Sequence, residues 1–114
     1  LRLPNVREFD RWLDMRKLYP QVSVLVRPTV HDGLPRMVLE ALSWGRYVVF
    51  SRPFPHCATG KTADEVESAL LRVRSEDKPN RAGSRYVRET YTQARIVGDL
   101  EAVFWDVLQE GTQR

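Results

Sequence analysis

Val22-Ser23-Val24-Leu25-Val26 and Tyr47-Val48-Val49-Phe50-Ser51 bracket the stretch that decides the fold. Both runs are short, β-branched and almost continuously apolar, as expected of strands covered on both faces in a parallel sheet. Pro28 to Leu34 reads as a loop. Pro35 then suits the first turn of a helix, where its missing N–H costs nothing, and Gly45 ends that helix just after Trp44. Strand, helix and strand in immediate succession define a βαβ unit.

Working outward, Leu1-Arg2-Leu3 reads as a short strand stopped by Pro4. Residues 7–18 carry Phe9, Trp12, Leu13 and Leu18 at spacings near 3.6, so a helix is expected there, ended by Pro20. Residues 52–61 form a Pro- and Gly-rich loop with a short strand expected at His56 to Ala58. Thr62-Ala63-Asp64-Glu65 is a capping-box sequence, opening a helix that buries Val66, Ala69, Leu70 and Val73. Residues 76–84 read as loop and 85–95 as helix. A last helix, with Gly98-Asp99 near its start and spanning 96–110, has Leu100, Val103, Phe104, Val107 and Leu108 as its apolar stripe. The fold class implied is α/β: a three-layer, Rossmann-like half-domain with a short parallel sheet and C-terminal helices. Residues 1–114 form one domain, and three or four strands are few enough that more are expected upstream in a longer parent.

The 114 residues are 42% hydrophobic and 29% charged, ordinary for a globular domain. No apolar run approaches the ~20 residues that span a bilayer. One cysteine, Cys57, excludes an internal disulfide and favours a cytoplasmic location. The net charge of +3 is mild. Its basic residues are interleaved with acids, without regular aromatics, so no nucleic-acid partner is expected. His31, His56 and Cys57 lack zinc-type spacing, and no metal is expected. Gly60-Lys61-Thr62 matches the end of a phosphate-binding P-loop, but Pro55 stands where that motif needs its first glycine. The arginines at 81, 85, 88 and 95 form one basic face, read either as solvated surface or as a side turned to a membrane or a lipid-linked acceptor.

Chemistry concentrates between the two strong strands. Ligands of open α/β sheets bind beyond the carboxyl ends of the strands, which here is the loop from Thr29 to Leu34. Gly33 permits close approach of backbone to ligand, and the unpaired N–H groups at the start of the helix attract an anion such as a diphosphate. Glu40 interrupts the apolar run Val38, Leu39, Ala41, Leu42, so its carboxylate must meet a partner or a cleft. It lies roughly 7–8 Å along the helix at ~1.5 Å per residue, the distance from a diphosphate to the far side of its ribose. Two readings stand for Glu40: a ligand for ribose hydroxyls, or an acid paired with Arg36 four residues earlier. Asp32 is likewise either a ligand for hydroxyls of a sugar or an acid favoured by the helix dipole. Arg36 is either at the rim of the site or structural.

Asp32 and Glu40, with seven residues between them, Gly33 after the first and Glu40-Ala41 within the helix, resemble the acid-x7-acid signature of retaining GT-B glycosyltransferases. The closest resemblance is to family 4, or group 1. An apolar strand ending in Pro28-Thr29, then Asp32-Gly33-Leu34-Pro35-Arg36, Leu39-Glu40-Ala41-Leu42, Trp44-Gly45-Arg46 and Val48-Val49-Phe50-Ser51 follow the family's order. The resemblance implies the C-terminal, donor-binding part of a bacterial-type glycosyltransferase acting on a nucleotide-diphosphate sugar, with no metal and no further cofactor. It gives Glu40 the ribose role and Asp32 the donor-sugar role, and makes Asp32 the catalytic candidate. Gly33 and Leu34 supply backbone N–H groups, and Thr29 and Arg36 complete the donor-binding set. The acceptor, a sugar or a lipid-linked glycan, is held by an N-terminal domain outside this chain, with peripheral contact at the inner face of a membrane. The family's basic pair for the diphosphate also lies upstream, so this fragment alone is expected to be inactive.

The departures are specific. Asp32 stands where Glu is usual, Tyr47 where Pro is usual, and Arg52-Pro53-Phe54-Pro55-His56 lacks the family's Gly-Gly and acid. They keep open a non-catalytic Rossmann-like binding or interaction module. A flavodoxin-like regulatory domain is disfavoured, since neither strong strand ends in a phospho-acceptor Asp.

Overall fold

The computed structural model describes residues 3–30 and 33–112. Three parallel strands form one sheet in the order β1 (Val24–Arg27), β2 (Tyr47–Phe50), β3 (Ala58–Thr59). Five helices accompany them among these residues: α1 (Met15–Leu18), α2 (Arg36–Ser43), α3 (Ala63–Arg74), α4 (Arg81–Thr90) and α5 (Gln93–Thr112). A 3-10 turn over Tyr19–Gln21 leads toward β1. The molecule is therefore α/β with a short parallel sheet, as expected.

Alternation along β2 sets the layers. Val48 and Phe50 join Tyr19, Val38, Ala41, Leu42 and Val87 in one buried cluster, which places α2 and α4 on that face. Val49 points the other way and is fully buried, as is Ala69 of α3. The strand period of two thus puts α3 opposite α2 and α4. Val66, Leu70 and Val73 flank Ala69 half-buried, the face expected from their spacing.

β1 departs from expectation. It was expected to be covered on both faces, yet all four residues are only half-buried. It is an edge strand, and its outer side has no neighbouring strand among the described residues. The helix expected over 7–18 shrinks to Met15–Leu18. Asp14 is its cap, accepting from the Arg16 N–H at 3.1 Å. Trp12 is fully exposed and Phe9 is 44% exposed, so the upstream stripe finds no surface to pack on. A helix that short is not stable without packing. Leu3 is not in a strand; its carbonyl accepts from the Val6 N–H. Leu1 and Arg2 lie outside the described residues.

α2 follows its reading closely. Pro35 is the residue before the first helical one, Trp44 closes the helix, and Gly45 takes the left-handed conformation at φ 73°. The α3 cap also holds: the Thr62 hydroxyl accepts from the Glu65 N–H at 3.2 Å. Glu65 reaches back to the N–H of Lys61 rather than of Thr62, at 2.8 Å. α4 begins inside the segment read as loop because Asn80 caps it, accepting from the Gly83 N–H at 3.1 Å. α5 begins earlier than read, with the Thr92 hydroxyl accepting from the Arg95 N–H.

Candidate functional site

The loop from Pro28 to Leu34 leaves the carboxyl end of β1 and enters α2, the position predicted for a ligand. One hydroxyl pins its start. Ser51, buried just past β2, donates from Oγ to the Thr29 carbonyl at 2.6 Å and accepts from the Thr29 N–H at 3.2 Å. This ties the first residue of the loop after Pro28 to the neighbouring strand. Sequence reasoning placed Thr29 in the site but assigned Ser51 only to the strand.

Gly33 and Leu34 are exposed. A Cβ built on Gly33 meets nothing within 4 Å among the described residues. Packing among the described residues therefore does not require glycine there. Asp32 and His31 lie outside the described residues.

Glu40 is the best-defined member of the set. Its Oε1 pairs with Arg36 Nε at 2.8 Å, and its Oε2 accepts from the Tyr19 hydroxyl at 3.0 Å. Arg36 is almost fully exposed, whereas Tyr19 is buried to 1%. The Tyr19 ring stacks on Trp44 with centroids 6.5 Å apart. Burial, and then the bond to Glu40, push the Tyr19 phenol far above its ordinary pKa, so it stays protonated and donates. The ion pair with Arg36 weighed at the sequence level is present, and Tyr19 adds a partner that spacing along one helix does not reveal.

Arg27, at the end of β1, donates from Nη1 to Met37 Sδ at 3.3 Å, joining strand to helix beneath the loop. Cys57 is a thiol at neutral pH, since burial raises its pKa to about 11. No group of three or more potential metal ligands gathers among the described residues. None of their helices is long and apolar enough to cross a membrane.

Two hollows compete for attention. A groove of about 550 Å³ lies at the amino-terminal ends of β1 and β2, between Ser23, Val24, Tyr47 and the α3 residues Leu70 and Val73. A smaller cleft of about 270 Å³ lies at the carboxyl ends, lined by Pro28, Thr29, Val30, Ser51, Arg52 and Lys61. Parallel α/β sheets place ligands at the carboxyl ends, so the smaller cleft belongs with the candidate loop. Arg81, Arg85 and Arg88 share a third groove with Trp44, but Arg88 is already spent on the Ser43 carbonyl at the end of α2. Arg95 sits on α5, apart from those three in the chain order of helices.

Compared with models of protein families, with curated proteins and with solved structures, the chain finds no significant match.

Proposed function

We propose that residues 28–42 form the donor side of a nucleotide-sugar site in a retaining, group 1 glycosyltransferase with a GT-B fold. Support comes above all from position: the acid-containing segment occupies the β1–α2 connection beyond the carboxyl end of a parallel strand, with Glu40 partly exposed on α2. In this reading Glu40 accepts from the ribose hydroxyls and Asp32 from the transferred sugar, while the Gly33 and Leu34 N–H groups face phosphate or sugar. Thr29 and Arg36 border the donor. Transfer to a sugar or lipid-linked acceptor takes place in a longer polypeptide, in the cytoplasm or at the inner face of its membrane. The reaction is helped by fixed donors around the departing diphosphate rather than by a resident metal.

The pair with Arg36 does not oppose this role. An exposed i,i+4 pair is worth only about 0.3–0.5 kcal/mol, so ribose hydroxyls can take over Oε1. Tyr19 meanwhile holds Oε2 and fixes the carboxylate plane. The test is titration with UDP and with GDP, wild type against Glu40→Gln and Glu40→Ala. One nucleotide is expected to bind the wild type and to lose about tenfold or more in Glu40→Ala. Equal affinity in all three proteins removes Glu40 from the site. One observation favours the second reading, a non-catalytic module: both Glu40 oxygens already have partners within the chain. That reading predicts no nucleotide binding by the wild type.

A further inference from the structure

The strand register points to an anion subsite within this chain. Arg27 is paired with Phe50, and Phe50 with Thr59, across the three strands. Two residues beyond each lie Thr29, Arg52 and Lys61, and all three line the cleft of about 270 Å³. Adjacent strands run roughly 4.8 Å apart, so the parallel sheet delivers a hydroxyl and two cations in a row along its carboxyl edge. The row is held in place from behind. The Ser51 hydroxyl clamps Thr29, and the Gly60 N–H donates to the Phe50 carbonyl at 2.9 Å, carrying the pairing one residue past β3. At Gly60 a Cβ would meet the Val66 backbone at 3.0 Å, so a side chain there would push this segment and the start of α3 apart by a few tenths of an ångström. Arg52 and Lys61 are exposed, and neither side chain has an ion-pair partner among the described residues.

We infer that this cleft binds a phosphate-bearing anion, with Arg52 and Lys61 as its cations and Thr29 as a hydroxyl donor. Its volume is below the roughly 300–1,000 Å³ of pockets that enclose a whole drug-sized ligand. It therefore takes the charged part of a ligand, with the rest extending out of the cleft. Two cations on neighbouring strand ends can share a ligand that carries two linked phosphates. Naming that anion as the donor's diphosphate rests on the nucleotide-sugar reading; the cleft and its charge do not. The Gly60-Lys61-Thr62 sequence thereby acquires a use without being a P-loop, because Lys61 reaches the anion from a strand end beside Arg52.

The test is titration at low ionic strength with inorganic pyrophosphate and, separately, with UDP and with GDP, followed by calorimetry and by amide chemical shifts. The proteins are wild type, Arg52→Gln, Lys61→Gln, the double variant and Glu40→Gln. Both cations are exposed, so the variants are expected to keep the wild-type amide spectrum. Pyrophosphate is expected to shift the amides of Thr29, Ser51, Arg52 and Lys61. Its affinity should fall about tenfold or more in each single variant and further in the double one, with Glu40→Gln unchanged. Added salt should weaken binding. Absence of pyrophosphate binding by the wild type, or equal binding by the double variant, overturns the subsite. UDP binding that depends on Glu40 but not on Arg52 or Lys61 also overturns it, while leaving the nucleotide reading intact. Pyrophosphate binding that depends on the two cations, with neither UDP nor GDP binding more tightly or depending on Glu40, keeps the subsite and sinks the nucleotide reading.

Discussion

At Glu40 a carboxylate joins an exposed arginine to a buried phenol, and the two sides differ in worth. The Arg36 contact is solvated and cheap to replace. The Tyr19 contact is not, because removing Glu40 leaves a buried hydroxyl without its acceptor. Glu40→Ala is expected to lower stability by about 1–3 kcal/mol, Tyr19→Phe by about 0.5–1.5 kcal/mol, and Arg36→Ala by less than either. Urea unfolding of the three variants and of the Glu40→Ala/Tyr19→Phe pair checks this. The double variant should cost clearly less than the sum of the two singles, since both remove the same bond. Additive costs would mean that the bond contributes nothing. Glu40 was visible as an oddity because an acid in an apolar run must be compensated. Tyr19 was not, because its partner lies 21 residues away and no local pattern marks such a bond.

Among the elements, α2 and β2 were the most legible. Pro35, Gly45 and the buried run at 47–51 are local signals, and β2 keeps its apolar character because it is the central strand. α4 was misjudged at its start for an equally physical reason. Asn80 accepts from Gly83, donates to the carbonyls of Arg46 at 3.3 Å and His56 at 3.4 Å, and has its own N–H on the Gly45 carbonyl. One buried amide therefore caps a helix and ties it to the end of α2 and to the loop before β3. The two carbonyls become its neighbours only after folding, so the sequence around Asn80 reads merely as polar. Asn80→Ala is expected to cost about 1–3 kcal/mol, seen as a lower denaturation midpoint. Asn80→Asp, which keeps the cap but loses both donors, should fall between Asn80→Ala and wild type. If Asn80→Ala matches wild type, the junction is held by packing alone. The helix expected over 7–18 differs in the opposite sense: the periodicity is there, but Phe9 and Trp12 in its first half find no surface to cover them.

For the molecule as a whole, α5 is the outlier. The helix expected there is present, yet Leu100, Val103, Phe104, Val107 and Leu108 of its apolar stripe are all more than half exposed. Replacing Leu100, Val103 and Phe104 together by glutamate is expected to change the thermal midpoint little, since burial on folding is what such residues ordinarily contribute. A large drop, followed by circular dichroism, would show that the stripe is covered in solution. The described parts of the candidate site hang on β1, β2 and β3, whose register is not readable from spacing but brings Thr29, Arg52 and Lys61 to one edge of the sheet. The radius of gyration is 18.1 Å, against about 13 Å for a packed domain of roughly this length, and the longest dimension is 64 Å against 29 and 28 Å. A body of that shape meets different friction about different axes. It spins about its long axis faster than it turns end over end, so no single rotational correlation time describes it. Amide bonds that lie along the long axis will relax differently from those that lie across it, even if both are equally rigid.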